Sequence, residues 1–235
     1  MNNFFKFKQF IIEQELCAMK VGTDGVLIGA WGAVGETTML DIGCGSGLIS
    51  IMAAQRTTTL RIDAIDVEES AVRQAEINVA ACPWSDRIVI HHAALQEFTP
   101  THKYDFILSN PPYFINSLKE GKEEPRAIAR HSNTLSYSDL AKNIERLLTD
   151  EGIFSVILPY LEANIFIVEA AKYALYCIKR VDIKGTPTRA TKRVMLQFSR
   201  IRKEIINDEL IIEDGSRHHY TQKYKELTKE FYLKF

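Results

Sequence analysis

A doubly wound α/β sheet is the fold this sequence predicts, and three observations predict it. Apolar runs of strand length alternate with stretches of helical periodicity from Met39 to Ala174. One such run, Met39 to Ile42, passes through Gly43-Cys44-Gly45-Ser46-Gly47 directly into an apolar helix. Glycines there let the backbone turn sharply and come close to a ligand. Finally, the glycine turn, Asp66 and Asn110 all fall at the carboxyl ends of predicted strands. Open α/β sheets hold their ligands at those ends, so one site is expected rather than three unrelated features.

The elements follow in order. Phe5 to Phe10 alternates apolar and polar, as a short strand packed over something does. Thr23 or Asp24 is placed to cap a helix running through Val26-Leu27-Ile28 to about Ala33. The helix after the glycine turn contains Leu48, Ile49, Ile51, Met52 and Ala53, and Leu60 to Asp66 reads as the second strand of the sheet. Ala71, Val72, Ala75 and Val79 give the next helix one apolar face. Arg87–His91 and Tyr104–Ser109 are the third and fourth strands. Ser136 and Asp139 stand in capping-box spacing at the start of a helix with Leu140, Ile144, Leu147 and Leu148 on one face, closed by Gly152. Ile153–Leu158 is a fifth strand, Leu161–Ala174 a helix, and Cys177–Ile183 and Arg193–Ser199 two further strands. Leu210-Ile211-Ile212 suggests a short strand, and Tyr220, Tyr224, Leu227 and Phe231 recur at helical spacing that would dock them on the body.

Composition narrows the class. At 235 residues, 46% apolar and 25% charged, the chain suits a single globular domain over 1–235, without repeats or a domain boundary. A net charge of −1 offers nucleic acid no global attraction, so any such contact needs a local patch. Cys17, Cys44, Cys82 and Cys177 are scattered, which fits a reduced, cytosolic protein rather than a disulfide framework. His91-His92 and His218-His219 are adjacent pairs and not ligand spacings, so no metal is expected. Met1 to Lys8 lacks an apolar signal core, and no run approaches the roughly 18 apolar residues of a membrane span, so a soluble cytoplasmic protein is expected.

The chemistry concentrates in Asn110-Pro111-Pro112-Tyr113. A planar amino nitrogen is a poor nucleophile because its lone pair is delocalised. Two acceptors facing its N–H groups favour pyramidal geometry and stabilise the positive charge that grows as it is methylated. The Asn110 side-chain oxygen supplies one acceptor and the Pro111 carbonyl the other. The prolines fix φ and push the preceding residue into an extended form, so the acceptors are set in advance. Tyr113 offers a flat face for a stacked base. The other reading of these residues is an ordinary Pro-Pro turn after a strand.

The glycine spacing is G-x-G-x-G, with Leu48 where a dinucleotide fingerprint has its third glycine, and no P-loop lysine is present. Asp41, on the strand before the turn, suits a ligand with an ammonium group. Asp66, about twenty residues past the glycines, can accept both ribose hydroxyls or can instead cap the helix that follows. Residues 116–133 are long and polar, with Arg126, Arg130 and His131, and read as a substrate lid or a solvated linker. From Lys179 to Lys203 there are nine Lys or Arg against one acid, Asp182, a local excess that a polyanion would recognise or that simply solvates a face.

Asp-x-Gly-x-Gly-x-Gly, the acid after the second strand and Asn-Pro-Pro-Tyr after the fourth resemble the S-adenosylmethionine-dependent amino-methyltransferases. Phe7-Lys8-Gln9-Phe10, the stretch Cys17 to Gly25, Pro83-Trp84 and the closing Phe231-Tyr232-Leu233 narrow this to a resemblance, over nearly the whole chain, to the tRNA1(Val) (adenine-37-N6)-methyltransferase family. The resemblance implies a Rossmann-like methyltransferase sheet of seven strands with the last antiparallel, residues 1–36 covering the cofactor site and 200–235 docked on the body. It implies S-adenosylmethionine held by Lys20, Thr23, Asp24, Asp41, Gly43, Gly45, Gly47, Asp66, Val67, Ala94, Leu95 and Asn110. It implies catalysis by Asn110, Pro111, Pro112 and Tyr113 on an adenine beside the anticodon of a tRNA, by a monomer. Arg126, Arg130, Lys184, Arg189, Lys192 and Arg193 are the expected RNA contacts. One departure stands out: where the family commonly has an Asp for the cofactor's adenine, this chain has Ala93-Ala94-Leu95. The rival readings are a glutamine methyltransferase acting on release factors, a guanine-N2 methyltransferase of ribosomal RNA, and a non-catalytic cofactor- or RNA-binding module.

Overall fold

Met39 and Leu40 set the layering. Both are fully buried, yet successive strand residues point to opposite faces, so the sheet must be covered on both sides. The computed structural model describes residues 3–111 and 135–234 and bears this out. A short antiparallel hairpin, β1 (Phe4–Lys6) and β2 (Ile11–Glu13), precedes helix α1 (Thr23–Trp31). There follow β3 (Thr38–Ile42), α2 (Leu48–Gln55), β4 (Arg61–Asp66), α3 (Glu69–Ala80), β5 (Ile88–His92) and β6 (Tyr104–Ser109). The second half runs α4 (Tyr137–Leu147), β7 (Leu148–Pro159), α5 (Tyr160–Ala171), β8 (Tyr176–Lys184), β9 (Arg193–Ser199), β10 (Ile206–Ile211) and α6 (Gln222–Thr228).

The main sheet has the order β10-β8-β9-β7-β6-β3-β4-β5. All its pairings are parallel except those of β9, which runs antiparallel to both neighbours. The expected antiparallel strand is therefore β9, but the sheet has eight strands where seven were expected. The extra strand is β10, paired parallel to β8 at the edge; the sequence reading suggested a short strand at Leu210-Ile211-Ile212, and β10 starts four residues earlier, where its residues are exposed and show no alternation. On one face Met39, Ile62, Leu108 and Met195 pack with α1, α2 and the closing Tyr224 and Phe231. On the other, Leu40, Ile107 and Leu196 pack with Leu140 and Ile144 of α4 and Phe166 of α5.

Among the boundaries that differ from the sequence reading, three have a clear physical cause. The segment at Phe5 to Phe10 is not one strand: β1 ends at Lys6, and Phe7 and Phe10 turn inward, stacked on each other at 4.5 Å. Gly152 does not close α4, which ends at Leu147; it lies in an irregularity of β7, where Tyr104 pairs with Leu148 but Phe106 with Ile153. Helix α5 stops at Ala171 because Ala174 adopts φ 54° and the N–H groups of Ala174 and Leu175 return to the carbonyls of Ala171 and Ala170. That is a left-handed helix stop built without glycine. Ser136 does cap α4 as expected, accepting from the Asp139 N–H at 3.0 Å.

The two ends of the chain meet. The Lys8 N–H donates to the Phe231 carbonyl at 2.9 Å, and the rings of Phe7 and Tyr232 stack at 6.1 Å.

Candidate active site

At the carboxyl ends of β3, β4, β5 and β6 the chain makes four loops that border one region. The first is the glycine turn. Gly43, Gly45 and Gly47 have φ of 71°, 55° and 79°, a region where a side chain strains the backbone. The N–H groups of Gly43 and Cys44 donate to the Ile65 carbonyl, which pins the turn to β4. A Cβ built on Gly43 or Gly45 would meet nothing within 4 Å, so both face open space; on Gly47 it would touch Ala75 of α3 at 3.4 Å. The first two glycines leave their backbone bare toward that space, and the third lets α3 pack close.

Asp66 ends β4 and fastens the turn from below. Its Oδ2 accepts from the Gly45 N–H at 2.8 Å and its Oδ1 from the Glu68 N–H at 3.0 Å. The residue capping α3 is Glu68, without a side-chain bond, so Asp66 is not the helix cap. A carboxylate has about four lone-pair directions, so two further donors can share it. Val67, next to it, is exposed, and its carbonyl accepts from His92 Nε2 at 3.0 Å.

Asp41 is wholly buried. Its Oδ2 accepts from both the N–H (3.1 Å) and the hydroxyl (2.6 Å) of Ser50, while Oδ1 is buried with no hydrogen-bond partner. Burial, offset in part by the Ser50 bonds, pushes its carboxyl up from 3.8 to about 7. A buried carboxylate with one unpartnered oxygen fits a cationic group.

After β5, the Ala93 N–H donates to the Asp66 carbonyl. The Ala94 carbonyl is taken by the N–H groups of Glu97 and Phe98, and the Leu95 carbonyl by Arg146 at 3.2 Å. What this loop retains for a ligand is backbone N–H, since the Leu95 side chain is buried in the core. After β6 come Asn110 and the buried Pro111, held in register by the Ser109 hydroxyl on the Ile42 carbonyl at 2.9 Å. A Cβ on Gly25 in the first turn of α1 would lie 3.9 Å from Asn110 Nδ2 and 3.1 Å from Leu48 Cδ2. The motif, α1 and the start of α2 thus converge. Pro112, Tyr113, Arg126 and Arg130 lie outside the described residues.

Other expected ligands have different occupations. Thr23 and Asp24 do not cap α1, whose cap is Gly22; they form its first turn, and Asp24 Oδ2 receives Arg193 Nε at 2.7 Å. Lys20 Nζ donates to the carbonyls of Gln14 and Cys17, so it clasps its own strap of chain. Lys184 pairs with Glu209. Arg189 and Lys192 are exposed and have no ion pair among the described residues. Among the described residues no group of three or more His, Cys, Asp or Glu is placed to hold a metal, and none of their helices is long and apolar enough to cross a membrane.

Sequence reasoning missed the amides that hold the strap to the site. Gln74 and Asn78 on α3 are 2% and 1% exposed. Gln74 accepts from the Leu16 N–H at 3.0 Å; Asn78 both accepts from and donates to the Glu13 backbone at 2.8 Å and donates to the Ser46 carbonyl at 2.9 Å. Gln14, also buried, accepts from the Val21 N–H. The signal was present: two amides four residues apart beside the apolar stripe of α3.

Comparison with known proteins agrees with this geometry. Residues 25–136, which contain the glycine turn, Asp66 and Asn110, match the family model described as Methyltransferase small domain. In fold, an Agrobacterium tumefaciens protein described as a predicted O-methyltransferase aligns with a TM-score of 0.69 at 15% identity, covering 88% of this chain and 96% of its own. Proteins named tRNA1(Val) (adenine(37)-N6)-methyltransferase from Flavobacterium psychrophilum and Phocaeicola vulgatus are 46% and 47% identical over 234 residues. The alignments cover 98% and 99% of this chain, and 99% and 98% of theirs. With identity of that order over nearly the full length of both chains, this chain belongs to the tRNA1(Val) (adenine(37)-N6)-methyltransferase family.

Proposed function

We propose that this protein methylates N6 of an adenine in tRNA, position 37 beside the anticodon of tRNA1(Val), using S-adenosylmethionine. The observation that carries the reading is the delivery of Asn110 and Pro111 by β6 to the rim of the glycine turn, against α1 and Leu48. S-adenosylmethionine, when bound, supplies a methyl group activated on a sulfonium sulfur. The unpartnered oxygen of buried Asp41 suits its cationic amino-acid end, and Gly43 and Gly45 give its backbone-lined bed. Asp66 has acceptor capacity for the ribose hydroxyls, with Val67 beside it. Backbone atoms of Ala94 and Leu95 frame the adenine ring where the family commonly uses an Asp.

Asn110 and Pro111 then act on the substrate. The Asn110 side-chain oxygen and the Pro111 carbonyl accept the two N–H groups of the target amino nitrogen and stabilise the charge it gains. Its proton leaves once the nitrogen is cationic, so no strong base is needed. Pro112 stiffens this arrangement and Tyr113 stacks on the base. An adenine in an anticodon loop is flipped at little cost because it is not in a duplex. Arg126 and Arg130, with Arg189 and Lys192 from the connection between β8 and β9, hold the RNA. Lys184 and Arg193 flank them with their charges already partnered.

The test is nucleoside analysis after incubation with unmodified tRNA pools and, separately, with release factor and ribosomal RNA. N6-methyladenosine in tRNA is the expected product. Asn110→Ala should lower turnover about a hundredfold while leaving cofactor affinity near wild type. Methyl label in glutamine or guanine, and none in tRNA adenine, would overturn the reading.

A further inference from the structure

Just past the end of the neighbouring strand β7 stands an aromatic residue that neither the sequence reading nor the roles above use. Ser109 at the end of β6 pairs with Val156 of β7. Continuing that register sets Pro111 level with Leu158, and Tyr160 comes two residues further, about 7 Å beyond and one strand spacing across. Tyr160 opens α5, is 39% exposed, and its N–H donates to the Lys192 carbonyl at 3.2 Å.

The ring is held rather than loose. The Arg180 guanidinium lies over it at 5.4 Å from the centroid. Arg180 is itself fixed by Asp182 at 2.7 Å and by Asn164 Oδ1 at 2.8 Å, and Asn164 Nδ2 donates back to the Tyr160 carbonyl at 3.1 Å. Next to it, residues 185–192 (Gly-Thr-Pro-Thr-Arg-Ala-Thr-Lys) form a turn with three hydroxyls, two cations and no acid. A preorganised exposed aromatic beside unpaired cations is what single-stranded nucleic acid binds: bases stack on the ring and phosphates meet the charges.

We propose that Tyr160 is a stacking platform for an unpaired nucleotide flanking the target adenine, with the 185–192 turn taking the adjoining phosphates. This rests on the RNA reading given above and adds where the loop is held. The residue touches neither the cofactor nor the reacting nitrogen, so it acts on RNA affinity alone.

Steady-state kinetics with unmodified tRNA separates these roles. Tyr160→Ala should raise KM for tRNA about tenfold or more, with kcat and cofactor affinity unchanged. Tyr160→Phe, which keeps the ring, should stay close to wild type. A Tyr160→Ala KM within about twofold of wild type would overturn the platform while leaving the methylation reading intact. Equal losses in the Ala and Phe variants would assign the effect to the hydroxyl and overturn it too. Wild-type protein that leaves tRNA adenine unmethylated would overturn the underlying reading, and this one with it.

Discussion

At the scale of single residues, Asp41 shows how burial turns an ordinary acid into a responsive one. Removed from water and given two Ser50 bonds on one oxygen only, it holds its proton to about pH 7. The unfolded chain loses that proton near the ordinary value of 3.8. Between those values the native state binds the extra proton, so this contribution to stability is full at low pH and is lost as pH rises through about 7. Pairing with a cation favours the ionised form and releases the proton. S-adenosylmethionine affinity should therefore be about tenfold weaker at about pH 6 than at about pH 8, and Asp41→Asn should flatten that dependence. Calorimetry across buffers of different ionisation enthalpy measures both the affinity and the proton released. A pH-independent affinity in the wild type would remove Asp41 from the ligand's cationic end. The sequence put this aspartate on the strand before the turn, where it stands, but did not show its protonation, because the Ser50 contact and the orphaned oxygen depend on how α2 packs against β3.

At the scale of elements, strands β6 and β9 run over the residues expected of them, because clean apolar runs or alternation define their ends. Errors gathered where local chemistry competes with a tertiary contact. Gly152 looked like a helix stop and became part of an irregular strand; Ala174 took a left-handed conformation usually left to glycine. The largest omission was the attachment of the strap 14–21, since hydrogen bonds between segments some sixty residues apart leave only a faint mark in sequence. Asn78 joins β2, the glycine turn and α3 in one buried side chain. Asn78→Ala should strand the Glu13 N–H and cost about 1–3 kcal/mol. Amide exchange over residues 11–21 should quicken, and cofactor affinity should drop with it. Unchanged protection there would mean that the aromatic contacts of the hairpin, not the amides, hold the strap in place.

At the scale of the molecule, the direction of β9 decides what the basic stretch means. In sequence its nine cations look like one patch. In the sheet β9 is antiparallel to β7, with Arg193 opposite Pro159 and Ser199 opposite Ile153, so seven of the nine are divided between opposite ends while Lys179 and Arg180 lie mid-strand on β8. Lys184, Arg189, Lys192 and Arg193 lie at the carboxyl end with the glycine turn and Asn110. Arg200, Arg202 and Lys203 lie at the far end, where Arg200 pairs with Glu145 and Arg202 packs on Tyr176. A polyanion seated on the site meets only the first group, within which Asp24 and Glu209 already engage Arg193 and Lys184. Reversing Arg189 and Lys192 to Glu should thus weaken tRNA binding and make the slope of log affinity against log salt shallower by about one to two, the loss expected for two phosphate contacts. The same reversal at Arg202 and Lys203 should leave that slope in place. Filter binding over a range of salt compares the two double variants directly. Equal effects at both ends would mean that the RNA wraps the molecule instead of docking on the face that carries the site.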